Sequence, residues 1–222
     1  MNNISKINKI CAVIPFFNEK KTIREIINRT LPLVDFVIAV NDGSTDNSCD
    51  EIPQNEKVIL ISYSGNRGKG YALKTGISES IKRATYITLT LDADLQHIPE
   101  SIPELISGLE NFDVVIGNRL NDLKKMPVQR ILSNKLTSLL LSIKTKQKLL
   151  DTQSGFRAYK TNMLKDILPS FNGFEAESEM LVKAAERDYK VNFVPIPTIY
   201  ADETSKMKSM QAIIGFIKVL LS

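Results

Sequence analysis

Two aspartates one residue apart, Asp92 and Asp94, follow the run Tyr86-Ile-Thr-Leu-Thr-Leu91. Threonines alternating with apolar residues read as a buried strand. Open α/β sheets bind ligands at the carboxyl ends of their strands. Two carboxylates crowded there repel each other, which is costly unless a cation or sugar hydroxyls take up the charge. One metal held by few carboxylates and bridged to a diphosphate is magnesium or manganese chemistry. A solvated turn uses the same residues, because aspartate is common at strand ends and helix caps.

Three other clusters share that placement. Pro15-Phe16-Phe17-Asn18-Glu19 follows an apolar run; the proline ends a ladder, an aromatic can lie against a base, and Glu19 can accept hydrogen bonds from a base edge. Capping of the next helix is the alternative use of Asn18 and Glu19. In Val40-Asn41-Asp42-Gly43-Ser44-Thr45-Asp46, Gly43 permits a tight turn and Asp42 is placed to contact a base or ribose. The glycines and basic residues of Gly65-Asn66-Arg67-Gly68-Lys69-Gly70 suit close approach to a phosphate or sugar. Neither the dinucleotide glycine pattern nor a Walker lysine motif is present, so NAD and P-loop readings are weak.

These clusters need a scaffold, and the periodicities supply one. Strands are predicted over Ile10–Pro15, Asp35–Val40, Lys57–Ser62, Tyr86–Leu91 and Asp113–Gly117. Helices are predicted over Lys20–Leu31, Thr45–Glu51, Gly68–Ser80 and Ile102–Leu109. Such alternation implies a mostly parallel sheet with helices on both faces. At 222 residues the chain suits one α/β domain with a full core. We divide it into a catalytic domain over 1–209 and a C-terminal apolar helix over 210–222.

The second half changes character. Pro127–Leu150 places Ile131, Leu132, Leu136, Leu139, Leu140 and Ile143 near helical spacing, decorated by Arg130, Lys135, Lys144, Lys146 and Lys148. A basic amphipathic helix of this kind lies on an anionic membrane surface, or packs on its own domain with a solvated basic face. Met210–Leu221 reads as another apolar helix, carrying only Lys218. The formal charge of +4 is too small to argue for nucleic acid, and it is compatible with an anionic substrate or membrane surface. Cys11 and Cys49 are the only cysteines, so no disulfide framework or zinc pattern follows and a reducing cytoplasmic location is expected. Neither a signal peptide nor a membrane span is read from the chain.

In order and spacing, these segments resemble the family 2 glycosyltransferases, inverting nucleotide-sugar enzymes of the A-type fold. They look most like the dolichol-phosphate mannosyltransferases and their polyprenyl-phosphate relatives. The matching segments run from Val13-Ile-Pro-Phe-Phe-Asn-Glu19 through Leu91-Asp-Ala-Asp-Leu-Gln-His97, Val115-Ile-Gly-Asn-Arg119 and Asp151-Thr-Gln-Ser-Gly-Phe-Arg157 to Ser205-Lys206. The resemblance implies a single Rossmann-like nucleotide-diphospho-sugar transferase domain. It further implies that Pro15, Phe17, Glu19, Val40 and Asp42 hold the nucleotide and that Asp92, Ala93 and Asp94 bind the donor. Asp94 and Gln96 would hold Mg2+ or Mn2+. Arg119 and Lys206 would face the donor diphosphate or the acceptor phosphate, with Arg157 and Asp151 on the acceptor side. Glu179 matches an acidic position in a following helix, where a structural role is equally open. His97, the only histidine, is expected to be positional beside Gln96 rather than a base.

The implied reaction moves a hexose from a nucleotide-sugar, of GDP-mannose or UDP-glucose type, to a polyprenyl phosphate at the cytosolic membrane face. A phosphomonoester acceptor is already an anionic nucleophile and needs little general-base help. It does need cations to bring two anionic groups together, a role open to Arg119, Arg157 and Lys206. One departure bears on the donor. Tyr200 stands where the mannosyltransferases look to carry an arginine, and a lost charged hydrogen bond is worth about 1.5–3 kcal/mol. This version of the segment resembles prokaryotic members that use UDP-glucose or another hexose. Transfer to a soluble or glycan hydroxyl is the alternative, with Asp151 as base. A non-catalytic nucleotide-sugar-binding subunit is a third reading.

Overall fold

The structure is a computed structural model that describes residues 8–120, 128–197, 199 and 209–222. Seven strands form one sheet in the order β3-β2-β1-β4-β6-β5-β7. They are β1 Ile10–Phe16, β2 Phe36–Asn41, β3 Val58–Ser62, β4 Ile87–Thr90, β5 Val114–Asn118, β6 Arg157–Lys160 and β7 Val191–Pro195. Only β6 runs antiparallel, against both β4 and β5. The mostly parallel sheet read from the alternation is therefore present, with one antiparallel strand beside β4.

Alternate side chains of the central strands feed two cores. Ala12, Ile14, Val37 and Ala39 pack with Ile23, Ile26 and Ile27 of α1 (Ile23–Thr30) and Ile102 and Leu105 of α3 (Ile102–Gly108). Cys11, Val13, Ile38 and Val40 face α2 (Lys69–Lys82) through Ala72. Below β5 and β6 the same layer continues with α5 (Thr161–Ile167) and α6 (Ala176–Ala185). This period-2 alternation is what a sheet covered on both faces requires.

Two predicted elements change for local reasons. The helix expected from Lys20 starts at Ile23, because Asn18 adopts a left-handed φ of 54° and the Glu19 carbonyl accepts the Thr22 and Ile23 N–H groups in a turn. At Thr30 it passes directly into a 3-10 turn, Leu31–Leu33, in which Leu31 keeps helical angles and Pro32 tolerates an early helical position. The helix expected over Thr45–Glu51 is a single 3-10 turn, Ser48–Glu51, because Ser44, Asp46 and Ser48 bond across to the 18–20 loop instead. Strands β6 and β7 and helix α5 lie outside the predicted elements.

Helix α4, Val128–Thr145, carries its amphipathicity inverted. Asn134, Ser138 and Leu141 are buried, whereas Leu132, Leu136, Leu139 and Ile143 are 57–67% exposed. Of its apolar face, Leu141 joins a small core with Leu149, Val182 and Val219, the last from α7 (Ser209–Leu221). On α7, Ile213, Ile214, Ile217 and Leu221 are exposed as well. No helix among the described residues is long and apolar enough to cross a membrane.

Candidate active site

The carboxyl ends of β1, β2 and β3 are in register at Phe16, Asn41 and Ser62, so the loops that follow them meet at one edge. Side chains staple those loops. Asn18 N donates to Ser44 Oγ at 2.9 Å, Glu19 N to Ser48 Oγ at 2.9 Å, and Thr45 N to Asn18 Oδ1 at 2.8 Å. An open cleft of about 430 Å3 lies beyond β2 and β3, bordered by Asn41, Ser44, Ser62, Tyr63 and Gly65. Its size and polar rim suit a base or ribose.

Here several expected donor contacts turn out to be scaffold. The Asp42 side chain accepts Arg67 N–H at 2.8 Å and Gly68 N–H at 2.9 Å, so its two oxygens hold the loop before α2. Val40 is fully buried against α2, and Ala93 packs in the core, so neither side chain reaches a ligand. Pro15 is buried as well, leaving Phe17, Asn18 and Glu19 as the partly exposed members of that segment. The glycine-rich loop makes its close approach to protein rather than phosphate. Gly70 N donates to Asn172 O at 2.7 Å, and a Cβ on Gly70 would sit 2.5 Å from Phe171 O. Gly68, at φ 101°, has the same backbone against it, in a conformation few other residues adopt.

At the end of β4 the charges concentrate. Lys69 Nζ lies 2.6 Å from Asp92 Oδ1 and 3.1 Å from Glu177 Oε2. Much of the crowding expected of the aspartate pair is thus relieved by a lysine of the protein itself. Burial opposes ionisation of Asp92, but the Lys69 ammonium outweighs it and holds the carboxyl down at about 2. Asp94 goes the other way: burial, then the Asp92 charge, raise it to about 6. Its Oδ1 accepts Gln96 N–H at 3.0 Å across left-handed Leu95, which fixes the turn. His97 is buried beside Phe156 with both ring nitrogens unpartnered, and burial depresses it to about 4, so it is neutral at physiological pH. It is neither a charged group nor an accessible base there.

The residues present fit a hard divalent cation. Asp94 is an anionic oxygen donor left with excess negative field, including that of Glu19, and Gln96 adds an amide oxygen. Among the described residues no three metal-binding His, Cys, Asp or Glu side chains converge. Diphosphate oxygens and water are therefore left to complete the shell, as Mg2+ and Mn2+ tolerate.

On the acceptor side the expectations need correcting. Asp151 is fully buried and accepts four donors: Arg119 N, Nε and Nη2, each at 2.9 Å, and Asn134 Nδ2 at 2.6 Å. Burial works against its charge, yet these bonds hold its pKa below the ordinary value. A carboxylate so satisfied is a poor base; its work is to aim Arg119, whose side chain is 14% exposed. Arg157 is turned into the fold. It is fully buried and donates to the carbonyls of Ser154, Glu177 and Thr152 at 2.8–2.9 Å, tying β6 to α6. Glu179 is structural too, accepting Ser170 and Phe171 N–H groups and pairing with Lys183 at 2.7 Å. Lys206 and Tyr200 lie outside the described residues.

Lys69, Glu177 and Asn134 enter the site without having been singled out. Lys69 lies in the glycine-rich segment, where its local sequence marks it only as a basic residue. Glu177 sits two residues before Glu179 on the same helix, with nothing local to distinguish it. Asn134 had no signal, because a polar residue in an apolar helix reads as its solvated face.

A family model described as Glycosyl transferase family 2 matches residues 11–168. An uncharacterized protein of Methanocaldococcus jannaschii is 34% identical over 97% of this chain and 92% of its own. The UDP-N-acetylglucosamine–dolichyl-phosphate N-acetylglucosaminyltransferase of Methanococcus voltae is 31% identical, covering 93% of this chain and 92% of its own. The crystal structure of glucosyl-3-phosphoglycerate synthase from Mycobacterium tuberculosis with Mn2+, UDP and phosphoglyceric acid matches with a TM-score of 0.77. That match spans 96% of this chain and 78% of the other at 21% identity, a likeness of fold.

Proposed function

The chain belongs to glycosyl transferase family 2, and on that premise we propose that it transfers a hexose from a UDP-sugar to a polyprenyl phosphate, with inversion, at the cytosolic face of a membrane. The observation that carries the acceptor is the two-sided α4. One side of this helix supplies Asn134 to the Asp151–Arg119 pair, and the other turns Leu132, Leu136, Leu139 and Ile143 outward. An exposed apolar stripe flanked by lysines suits the boundary of an anionic bilayer. A phosphate anchored there by its lipid tail comes within the field of Arg119. The uridine reading draws support from the Methanococcus voltae relative, whose name specifies a UDP-sugar and a dolichyl phosphate. The cytosolic side accords with two free cysteines.

In this scheme the polar cleft beyond β2 and β3 takes the nucleoside, with Phe17 and Glu19 at its margin. Asp92 and Asp94 lie at the diphosphate and sugar. Asp94 and Gln96 would hold a divalent cation, which would supply positive charge to the leaving diphosphate when bound. Arg119, oriented by Asp151 and by Asn134 behind it, draws the acceptor phosphate into line. A phosphate oxygen forms the new bond to the anomeric carbon while the bond to the UDP oxygen breaks, and UDP leaves with that electron pair. The nucleophile starts as an anion, so no protein base is required, in keeping with the buried state of Asp151 and His97.

A thermal-shift panel of UDP-, GDP- and dTDP-sugars with and without Mn2+ tests the donor. A manganese-dependent rise confined to UDP-sugars is expected, a few kcal/mol at ligand concentrations about 100-fold above Kd. A shift confined to GDP-sugars sinks the uridine reading. Transfer to a water-soluble hydroxyl acceptor in place of lipid phosphate sinks the acceptor.

A further inference from the structure

Lys69 and Glu177 have no part in the scheme above, yet their bridge to Asp92 joins three elements: the start of α2, the loop after β4 and the first turn of α6. The three side chains are 16%, 24% and 8% exposed. As a device for stability it is a poor choice. Glu177 Oε1 is buried with no hydrogen-bond partner, and apolar residues of similar size commonly serve a core as well as a buried ion pair. Local rules broken without gain in stability point to a site that serves function.

The surroundings show which end of the bridge matters. Lys69 engages Asp92 Oδ1, while the nearest ring nitrogen, His97 Nδ1, is 4.0 Å from Asp92 Oδ2 and outside hydrogen-bond reach. Beside that second oxygen stands Gly155, where an added Cβ would lie 2.5 Å from it. Any other residue at position 155 would therefore displace the carboxylate. Lys69 clamps one oxygen, Gly155 presents no side chain to crowd the carboxylate, and the Asp92 side chain stays 24% exposed. The clamp is itself anchored, since the Gly70–Asn172 bond seats Lys69 against the segment that leads to Glu177.

We propose that Lys69 and Glu177 are positioning residues of glycosyl transfer: Glu177 anchors the Lys69 ammonium, which clamps Asp92 Oδ1 so that Oδ2 accepts a hydrogen bond from a hydroxyl of the donor sugar. The inference rests on the donor reading above and assigns a part of that site. Its chemistry is recognition of a neutral hydroxyl by a fixed carboxylate, so its loss misplaces the sugar more than it weakens the grip on the nucleotide.

Steady-state kinetics with a UDP-hexose and a polyprenyl phosphate, together with melting temperatures, test it on Glu177→Gln, Lys69→Met, Lys69→Arg and the double variant Lys69→Met/Glu177→Leu. Glu177→Gln keeps the shape and is expected to lower kcat about tenfold with the donor KM within about threefold. Lys69→Met is expected to cost about 100-fold, partly restored in Lys69→Arg. The double variant replaces the bridge with apolar bulk, and is expected to melt near the wild type while turnover is lost. Lowered melting with unchanged kcat and KM across the variants makes the bridge structural and overturns the proposal. Absence of wild-type turnover on every UDP-hexose overturns the donor reading, and this inference falls with it. Active wild type beside unimpaired variants overturns the inference alone.

Discussion

Asp94 and Asp92 share a loop and nearly a composition, yet the fold gives them opposite tasks. Lys69 takes up the charge of one, and the other keeps a raised pKa that a cation can lower. Asp94→Asn is expected to cut kcat/KM at least about 100-fold while the ligand-free protein melts no lower than the wild type at neutral pH. Chelation with EDTA should abolish wild-type turnover, and Mn2+ or Mg2+ should restore it; full activity in metal-free buffer would remove the cation from the scheme. Arg157 makes a contrasting prediction. Its three carbonyl partners are buried, so Arg157→Met should cost at least about 3 kcal/mol of unfolding free energy, read from urea midpoints. Near-normal stability in that variant would return Arg157 to the list of substrate-facing groups.

At the scale of elements, α4 is the helix at which the proposed lipid acceptor would be met. Its burial of Asn134 and Ser138 beneath exposed leucines reverses the usual order, in which the apolar face turns inward. The double variant Leu136→Gln/Leu139→Gln should leave unfolding free energy within about 0.5 kcal/mol. Binding to vesicles containing anionic phosphatidylglycerol should weaken about tenfold or more, measured by co-sedimentation. Undiminished binding would assign this face to something other than lipid. The 3-10 turn Ser48–Glu51 shows the opposite balance. Its sequence can start a helix, but bonds from its Ser and Asp side chains to a neighbouring loop proved stronger than the local preference.

Across the whole molecule the buried carboxylates set a pH window. Despite burial, Asp151 is held below its ordinary 3.8 by Arg119, so its stabilisation is complete above that value and is lost as pH falls below it. Asp94 has the opposite sign. Raised to about 6, it favours the folded state below 3.8 and loses that contribution as pH climbs through 6. The metal-free protein should therefore lose stability both below about pH 4 and, through Asp94, between about pH 4 and 7. Asp94→Asn should flatten the second loss and leave the acid limb in place, as followed by urea unfolding across pH. An unchanged slope in that variant would contradict the assignment.

The sequence by itself determined the parallel α/β frame, because strand and helix periodicities and loop residues such as Pro15, Gly43 and Asp92 are local signals. The order of its motifs pointed to the family before any contact was known. Only the packing shows which polar residues are tied up inside the fold. Asp42, Asp151 and Arg157 carry the right chemistry, but their side chains are buried and bonded within the fold, and their partners lie 15 or more positions away or are backbone groups without a sequence signature. Strand β6 escaped because four residues reading Arg-Ala-Tyr-Lys acquire strand character only from β4 and β5 on either side. Lys69 and Glu177, 108 positions apart, meet only when α2 and α6 pack at the end of β4. An ion pair of that separation is a property of packing, which no local pattern encodes.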